Sequence, residues 1–236
     1  MSNGFIFQPP ATVAVPLSGS NEEFPVNRVY CVGQNYREHA LEMGSSSRKP
    51  PFFFSKPADA ICTEPVIPFP LMTANLHHEV ELVVALGSGG VNIAVDEAAG
   101  KIFGYAVGVD LTRRDVQAEA KKQGRPWTTA KGFDRSAPLS PIQRVSAGGL
   151  PEDASISLSV NGQCRQDGKI SDMTWSVPEI ISELSRYFEL KAGDLIFTGT
   201  PAGVGALQPG DRVDCAIEAV GSLSFKLTGQ PQNPDS

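Results

Sequence analysis

The chain has 236 residues, 41% of them hydrophobic and 19% charged, with a formal net charge of −6. That length supports a sizeable core in one large domain or two small ones. The negative balance, with no basic run, excludes general nucleic-acid binding, and no apolar segment reaches the length of a membrane span.

The first residues, Met1-Ser2-Asn3-Gly4-Phe5, lack the basic region and apolar stretch of a signal peptide. Cys31, Cys62, Cys164 and Cys215 form no CxxC, so they read as reduced thiols of a cytoplasmic protein. Residues 1–26 carry several prolines and little periodicity, as an arm or an edge strand would. Val29-Tyr30-Cys31-Val32 predicts a short strand, followed by Gly33-Gln34-Asn35 and a helix-like stretch ending at Gly44. The run Pro51-Phe52-Phe53-Phe54 predicts burial in the core. Strands are expected around 79–86 and 104–110, flanking a turn at Gly87-Ser88-Gly89-Gly90 and a short helix near 95–99.

Thr112 and Asp115 have the spacing of a capping box, predicting a helix that runs to Lys122 and stops near Gly124. The last third reads as mostly β. Ile156 to Val160 alternates and meets Asn161-Gly162, a strong two-residue hairpin signal. Ser176 and Glu179 form a second capping box with Pro178 in the first turn. The helix they open carries Val177, Ile180, Ile181, Leu184 and Phe188 on one face. Val213, Cys215 and Ile217, then Leu223, Phe225 and Leu227, alternate as two final strands, and residues 229–236 read as a tail.

The chemistry concentrates in Leu76-His77-His78-Glu79-Val80-Glu81-Leu82-Val83-Val84. Alternate side chains of a strand share a face, so Glu79 and Glu81 point the same way. Two like charges there repel unless a cation holds them. Asp110 ends a second apolar run, and three carboxylates with no Cys nearby favour magnesium or manganese over zinc. Each piece also has a plain reading. Glu79 and Glu81 could be the solvent face of an edge strand, Asp110 a capping residue, and His77 a core histidine. His39 and Glu42 stack on one helical face, as a general base and its orienting carboxylate or as an exposed pair. The loop Phe197 to Gly205 matches no nucleotide-binding pattern. Its backbone N–H groups and threonines could hold a carboxylate, or it could be a tight turn.

Five ordered segments resemble the fumarylacetoacetate hydrolase family. They are Val32-Gly33-Gln34-Asn35-Tyr36, Leu76 to Leu82, Gly104 to Gln117, Pro126-Trp127-Thr128 with Lys131-Gly132-Phe133, and Phe197 to Gly205. The resemblance covers residues 27–228 and implies an α/β fold of the α+β type, a mixed β-rich roll with flanking helices. It implies Glu79, Glu81 and Asp110 as metal ligands, for Mg2+ or Mn2+. It also implies Lys131, His39 and Glu42 in catalysis, and Gln117 and Thr200 in substrate binding, with Gly199 of the same loop beside them; a basic side chain such as Arg37 or Arg48 is the candidate for the far carboxylate. The branch is that of short acylpyruvases, and Pro51 to Ala60 is similar to bacterial fumarylpyruvate hydrolases. The expected activity is cleavage of a 3-acylpyruvate by a homodimer. The alternatives are oxaloacetate decarboxylation, or isomerisation or decarboxylation of a longer 2-oxo diacid. No nucleic-acid or membrane partner is expected.

Overall fold

The computed structural model describes residues 4–36, 50–145 and 149–229. Its architecture is mixed β with few helices, as the resemblance implies. The central sheet has six strands in the order Gln143–Arg144, Ile102–Val109, Val80–Leu86, Leu195–Phe197, Val29–Gly33 and Phe52–Lys56. All neighbours are antiparallel except Leu195–Phe197 against Val29–Gly33. Every residue of Val80–Leu86 is buried, which explains why it reads as a nearly continuous apolar run.

Alternation along that strand sends its side chains to two compartments. Val80 and Leu82 meet the second, five-stranded sheet through Ile156, Leu158, Val213 and Phe225. Farther along the same face, Val84 and Leu86 pack on Ile180, Ile181 and Leu184 of the helix Val177–Leu184. Val83 and Ala85 face the other way, toward Cys31, Ala106 and Phe197. Glu81 has the parity of Val83 and Ala85, so it enters at the end of that second compartment. The N-terminal segment joins this compartment too. Ala14–Pro16 pairs with Glu23–Pro25, and Val15 and Phe24 are buried there.

The Ser176–Glu179 capping box is present, with the Glu179 carboxylate accepting from the Ser176 N–H and hydroxyl. Its helix ends at Leu184, and Phe188 lies beyond it, largely exposed and tilted against Tyr30. The Thr112–Asp115 capping box does not form. Thr112 and Arg113 pair instead with His77 and Leu76, and the helix begins only at Arg114. Sheet pairing satisfies backbone groups that a cap would otherwise serve, and it buries Thr112 completely. Asp115 is left to accept from Thr73 Oγ1 at 2.7 Å and from the Ala74 N–H at 2.9 Å. The helix stops at Gly124 in the left-handed region (φ +63°), as predicted.

The phenylalanine run is also corrected. Phe52–Lys56 is the edge strand of the central sheet, with Phe52 40% exposed and Phe53 and Phe54 only partly buried. Phe52, Phe54 and Lys56 share one face of it, and that face looks onto the carboxylates.

Candidate metal centre

Glu79 falls between the strands Leu76–His78 and Val80–Leu86, and Asp110 directly follows Ile102–Val109. The pairing of Val80 with Val109 continues one step further, with the Asp110 N–H donating to the Glu79 carbonyl at 2.8 Å. Glu81 stands opposite Gly108, where a side chain could not fit. A Cβ there would lie 2.5 Å from Val83 Cγ2 and 2.7 Å from Phe197 Cε1. Backbone register thus brings the carboxylates of Glu79, Glu81 and Asp110 together. All three are buried, and each offers an oxygen within 4.8 Å of the others.

Each carboxylate is held. Gly199, at φ +98° and packed so closely that a Cβ would lie 2.8 Å from Asn35 Cβ, donates its N–H to Glu81 Oε2 at 2.8 Å. Asn35 pins the Gly199 loop by donating to the Thr198 carbonyl at 2.8 Å and to the Trp175 carbonyl at 3.0 Å. Glu79 pairs with Arg114 and with Lys131 Nζ, the latter at 2.8 Å. Lys131 Nζ also donates to Asp110 Oδ2 at 2.5 Å. Lys56 Nζ lies 2.8 Å from Asp110 Oδ1. Its hydrogen bonds go to the carbonyls of Leu111, Lys131 and Ser136 and to the Ser136 hydroxyl.

Two observations fit a divalent cation to this donor set. Asp110 Oδ1 is buried and, despite the neighbouring ammonium, accepts no hydrogen bond, so a lone pair remains for a ligand. Burial, with Asp110 and Glu79 adding repulsion, holds the Glu81 carboxyl well above the usual carboxylate range. A cation among the three would remove that penalty, and three hard oxygens suit Mg2+ or Mn2+. Burial opposes the charge on Lys131, but Asp110 and Glu79 outweigh it and raise its pKa, so it stays an ammonium. His77 stands apart. Its Nε2 is 2.9 Å from Asn75 Oδ1, and burial and Arg114 depress its pKa to about 4.

The carboxylates open into a narrow cavity lined by Gln117 and Thr200 as well as Lys131 and Gly199. Gln117 Oε1 accepts from Arg114 Nη1 at 2.6 Å, leaving its NH2 group as the available donor. The Gly199 N–H is already committed to Glu81. Phe52, Phe54 and Trp127 form the rim, with rings 5.4 and 5.7 Å from the indole in edge contacts, and Lys121 lies over Trp127 at 5.0 Å. His39, Glu42, Arg37 and Arg48 lie outside the described residues, as does the helix expected to end at Gly44. Sequence reasoning missed Lys56, Arg114 and Gln166. For Lys56 the available signal was its period-two relation to Phe52 and Phe54.

A buried carboxylate trio backed by an ammonium and opening into a cavity of a β-rich fold defines the divalent-metal site of an enzyme. The chain belongs to the fumarylacetoacetate hydrolase family: the family described as fumarylacetoacetate (FAA) hydrolase C-terminal matches residues 28–228. Its fold is similar to the fumarylpyruvate hydrolase of Pseudomonas aeruginosa crystallised with Mn2+ and pyruvate. The two share 48% identity and a TM-score of 0.92, over 96% of this chain and all of that one. It is also 44% identical over 202 residues to an oxaloacetate tautomerase of Escherichia coli, covering 85% of this chain and 92% of that protein. The mitochondrial oxaloacetate tautomerase of Rattus norvegicus is 44% identical over 201 residues, covering 84% and 90%.

Proposed function

We propose that this chain hydrolyses the carbon–carbon bond of a 3-acylpyruvate, with 3-fumarylpyruvate giving fumarate and pyruvate. The observation that carries this reading is the match along nearly the whole chain to a fumarylpyruvate hydrolase crystallised with Mn2+ and pyruvate, since the carboxylate trio here supplies a place for the cation and the cavity beside it, lined by Gln117, Lys131 and Thr200, one for the acid. A divalent cation held by Glu79, Glu81 and Asp110, magnesium or manganese, supplies Lewis-acid polarisation of the 2-oxo group when bound.

The chain's own residues do the rest. Thr200 donates to the carboxylate of the pyruvoyl end, and the Gln117 NH2 group orients its oxygens. His39, oriented by Glu42, takes a proton from the water that attacks the distal acyl carbonyl. The hydroxyl joins the acyl carbon, the bond to C3 breaks, and its electron pair passes into the pyruvate enolate. Lys131, held protonated by Asp110 and Glu79, places positive charge beside that developing oxyanion. A proton then returns to C3. Arg37 grips the far carboxylate. The reading includes a cytoplasmic homodimer, whose oligomeric part sedimentation of the purified chain tests.

The experiment follows the ultraviolet enol–diketone band of fumarylpyruvate, with acetylpyruvate and oxaloacetate in parallel, with magnesium and with EDTA. Fast, magnesium-dependent loss of fumarylpyruvate over the other two is expected. Preference for oxaloacetate would overturn the acylpyruvate assignment and keep the metal centre.

A second reading has support of its own in the 44% identity to oxaloacetate tautomerases. Oxaloacetate tautomerisation, like its decarboxylation or the isomerisation of a longer 2-oxo diacid, needs proton transfer or bond cleavage beside the 2-oxo group but no attacking water. His39→Ala therefore tests the water-activating step. It abolishes acylpyruvate hydrolysis, and retention of wild-type turnover would sink the general-base role.

A further inference from the structure

Gln166 lies in the strand Gln163–Lys169 of the five-stranded sheet, outside the cavity, yet it is buried and bonded directly to Thr200. Its amide has four hydrogen-bonding positions, and all four are taken. The Val80 N–H donates to Oε1 at 3.1 Å, and His78 Nδ1 approaches the same oxygen at 2.8 Å. Nε2 donates to the Pro201 carbonyl at 2.9 Å and to Thr200 Oγ1 at 2.7 Å.

Two of those partners cannot change role. A backbone N–H only donates and a backbone carbonyl only accepts, so Val80 and Pro201 fix which end of the amide is oxygen and which is nitrogen. With the amide locked, Nε2 can offer Thr200 only a hydrogen. The Thr200 hydroxyl must accept it, so its own hydrogen has to go elsewhere. No acceptor for that hydrogen lies in hydrogen-bond geometry among the described residues, and Thr200 lines the cavity beside Glu81 and Lys131.

We propose that Gln166 is a positioning residue that turns the Thr200 hydroxyl into an obligatory donor, so that this subsite takes an acceptor-only carboxylate and rejects a ligand presenting N–H or O–H there. The inference rests on the reading of Thr200 as the carboxylate contact. It does not depend on which reaction follows, because every candidate substrate carries the same 2-oxo acid end. The discrimination comes from an interior amide read through one hydroxyl, with no added cation.

The test titrates pyruvate, and separately its neutral analogue pyruvamide, into the Mn2+-loaded protein by calorimetry. Mn2+ affinity and Tm are measured alongside. Gln166→Glu keeps an acceptor for Val80 and His78 but replaces the donor with a second acceptor, so the Thr200 hydrogen turns inward. The expected result is pyruvate binding weakened about ten- to hundredfold, the range for a lost hydrogen bond to a charged group. Mn2+ affinity should stay unchanged and the pyruvate-to-pyruvamide preference should shrink. Thr200→Val should cost a similar factor, and the double variant no more than either single one, since both act through one hydroxyl. Gln166→Met carries the same test, with a smaller loss, should the glutamate variant not fold.

Wild-type pyruvate affinity and preference in the Gln166 variants, or losses that multiply in the double variant, would overturn the proposal. Unchanged pyruvate affinity in Thr200→Val would instead remove the carboxylate role of Thr200, and this inference with it.

Discussion

The inner wall and the rim of the cavity are built on different principles. On the inner wall, main-chain atoms place the functional groups. Sheet register sets Glu81 against Gly108, the Gly199 N–H meets the Glu81 carboxylate, and three carbonyls seize the Lys56 ammonium. The rim of Phe52, Phe54 and Trp127 sits on an edge strand and beside the short helix Thr128–Lys131, joined by ring contacts. The first arrangement admits almost no substitution without loss of the site, while the second can change shape at small cost. One scaffold can therefore keep its metal-binding wall and alter the shape of the ligand it admits.

The contrast can be broken at its strongest point first. Asp110→Asn removes a ligand whose Oδ1 accepts no hydrogen bond. It should reduce Mn2+ affinity by more than the roughly 10–100-fold seen on losing an outer-shell partner, with turnover falling in step, both measurable by calorimetry and the enol assay. Lys56→Met strips a buried charge from Asp110 and from its carbonyl cradle. Urea unfolding should show a loss of about 3–5 kcal/mol, the range for breaking a buried pair. A loss below about 1 kcal/mol would mean that the wall stands without it.

Trp127→Ala probes the other side. It should raise KM for fumarylpyruvate about tenfold, the equivalent of one lost aromatic contact, and leave Mn2+ affinity as it was. Equal effects on both quantities would erase the distinction between wall and rim. The smallest effect is expected at Asp115, an exposed residue that lines neither wall nor rim. Burial works against its charge, but hydrogen bonds from Thr73 and Ala74 prevail and hold its carboxyl below the ordinary value. Its stabilising contribution is therefore complete above the unfolded pKa of about 3.9 and fades as pH falls through the folded value. Asp115→Asn should cost less than about 1 kcal/mol at neutral pH for so exposed a group, and the difference from wild type should vanish in acid.

Much of the inner wall was legible in the sequence because strand periodicity is local. The alternation around Glu79 and Glu81, and the position of Asp110 at the end of an apolar run, needed no knowledge of partners. The Ser176–Glu179 cap was legible for the same reason. Thr112–Asp115 has the same spacing and failed, because Leu76 and His77, more than thirty positions away, claimed the backbone first. The phenylalanines were misplaced because apolar residues on an edge strand look the same in sequence whether they face a core or a binding cavity. Gln166 left no local signal, since its role exists only once Val80, Thr200 and Pro201 surround it.

The link between Asn35 and Thr198 joins residues 163 positions apart, and it carries a consequence for how the enzyme comes into being. The hairpin bearing Glu79, Glu81 and Asp110 is assembled from near neighbours, whereas the parallel pairing that delivers Gly199 joins Val29–Gly33 to Leu195–Phe197 across most of the chain. Pairings of such separation form slowly. A folding chain therefore displays its acidic trio before the loop whose N–H meets Glu81 arrives. Metal supplied during refolding meets an open, negatively charged cradle, and its capture can precede completion of the pocket around it.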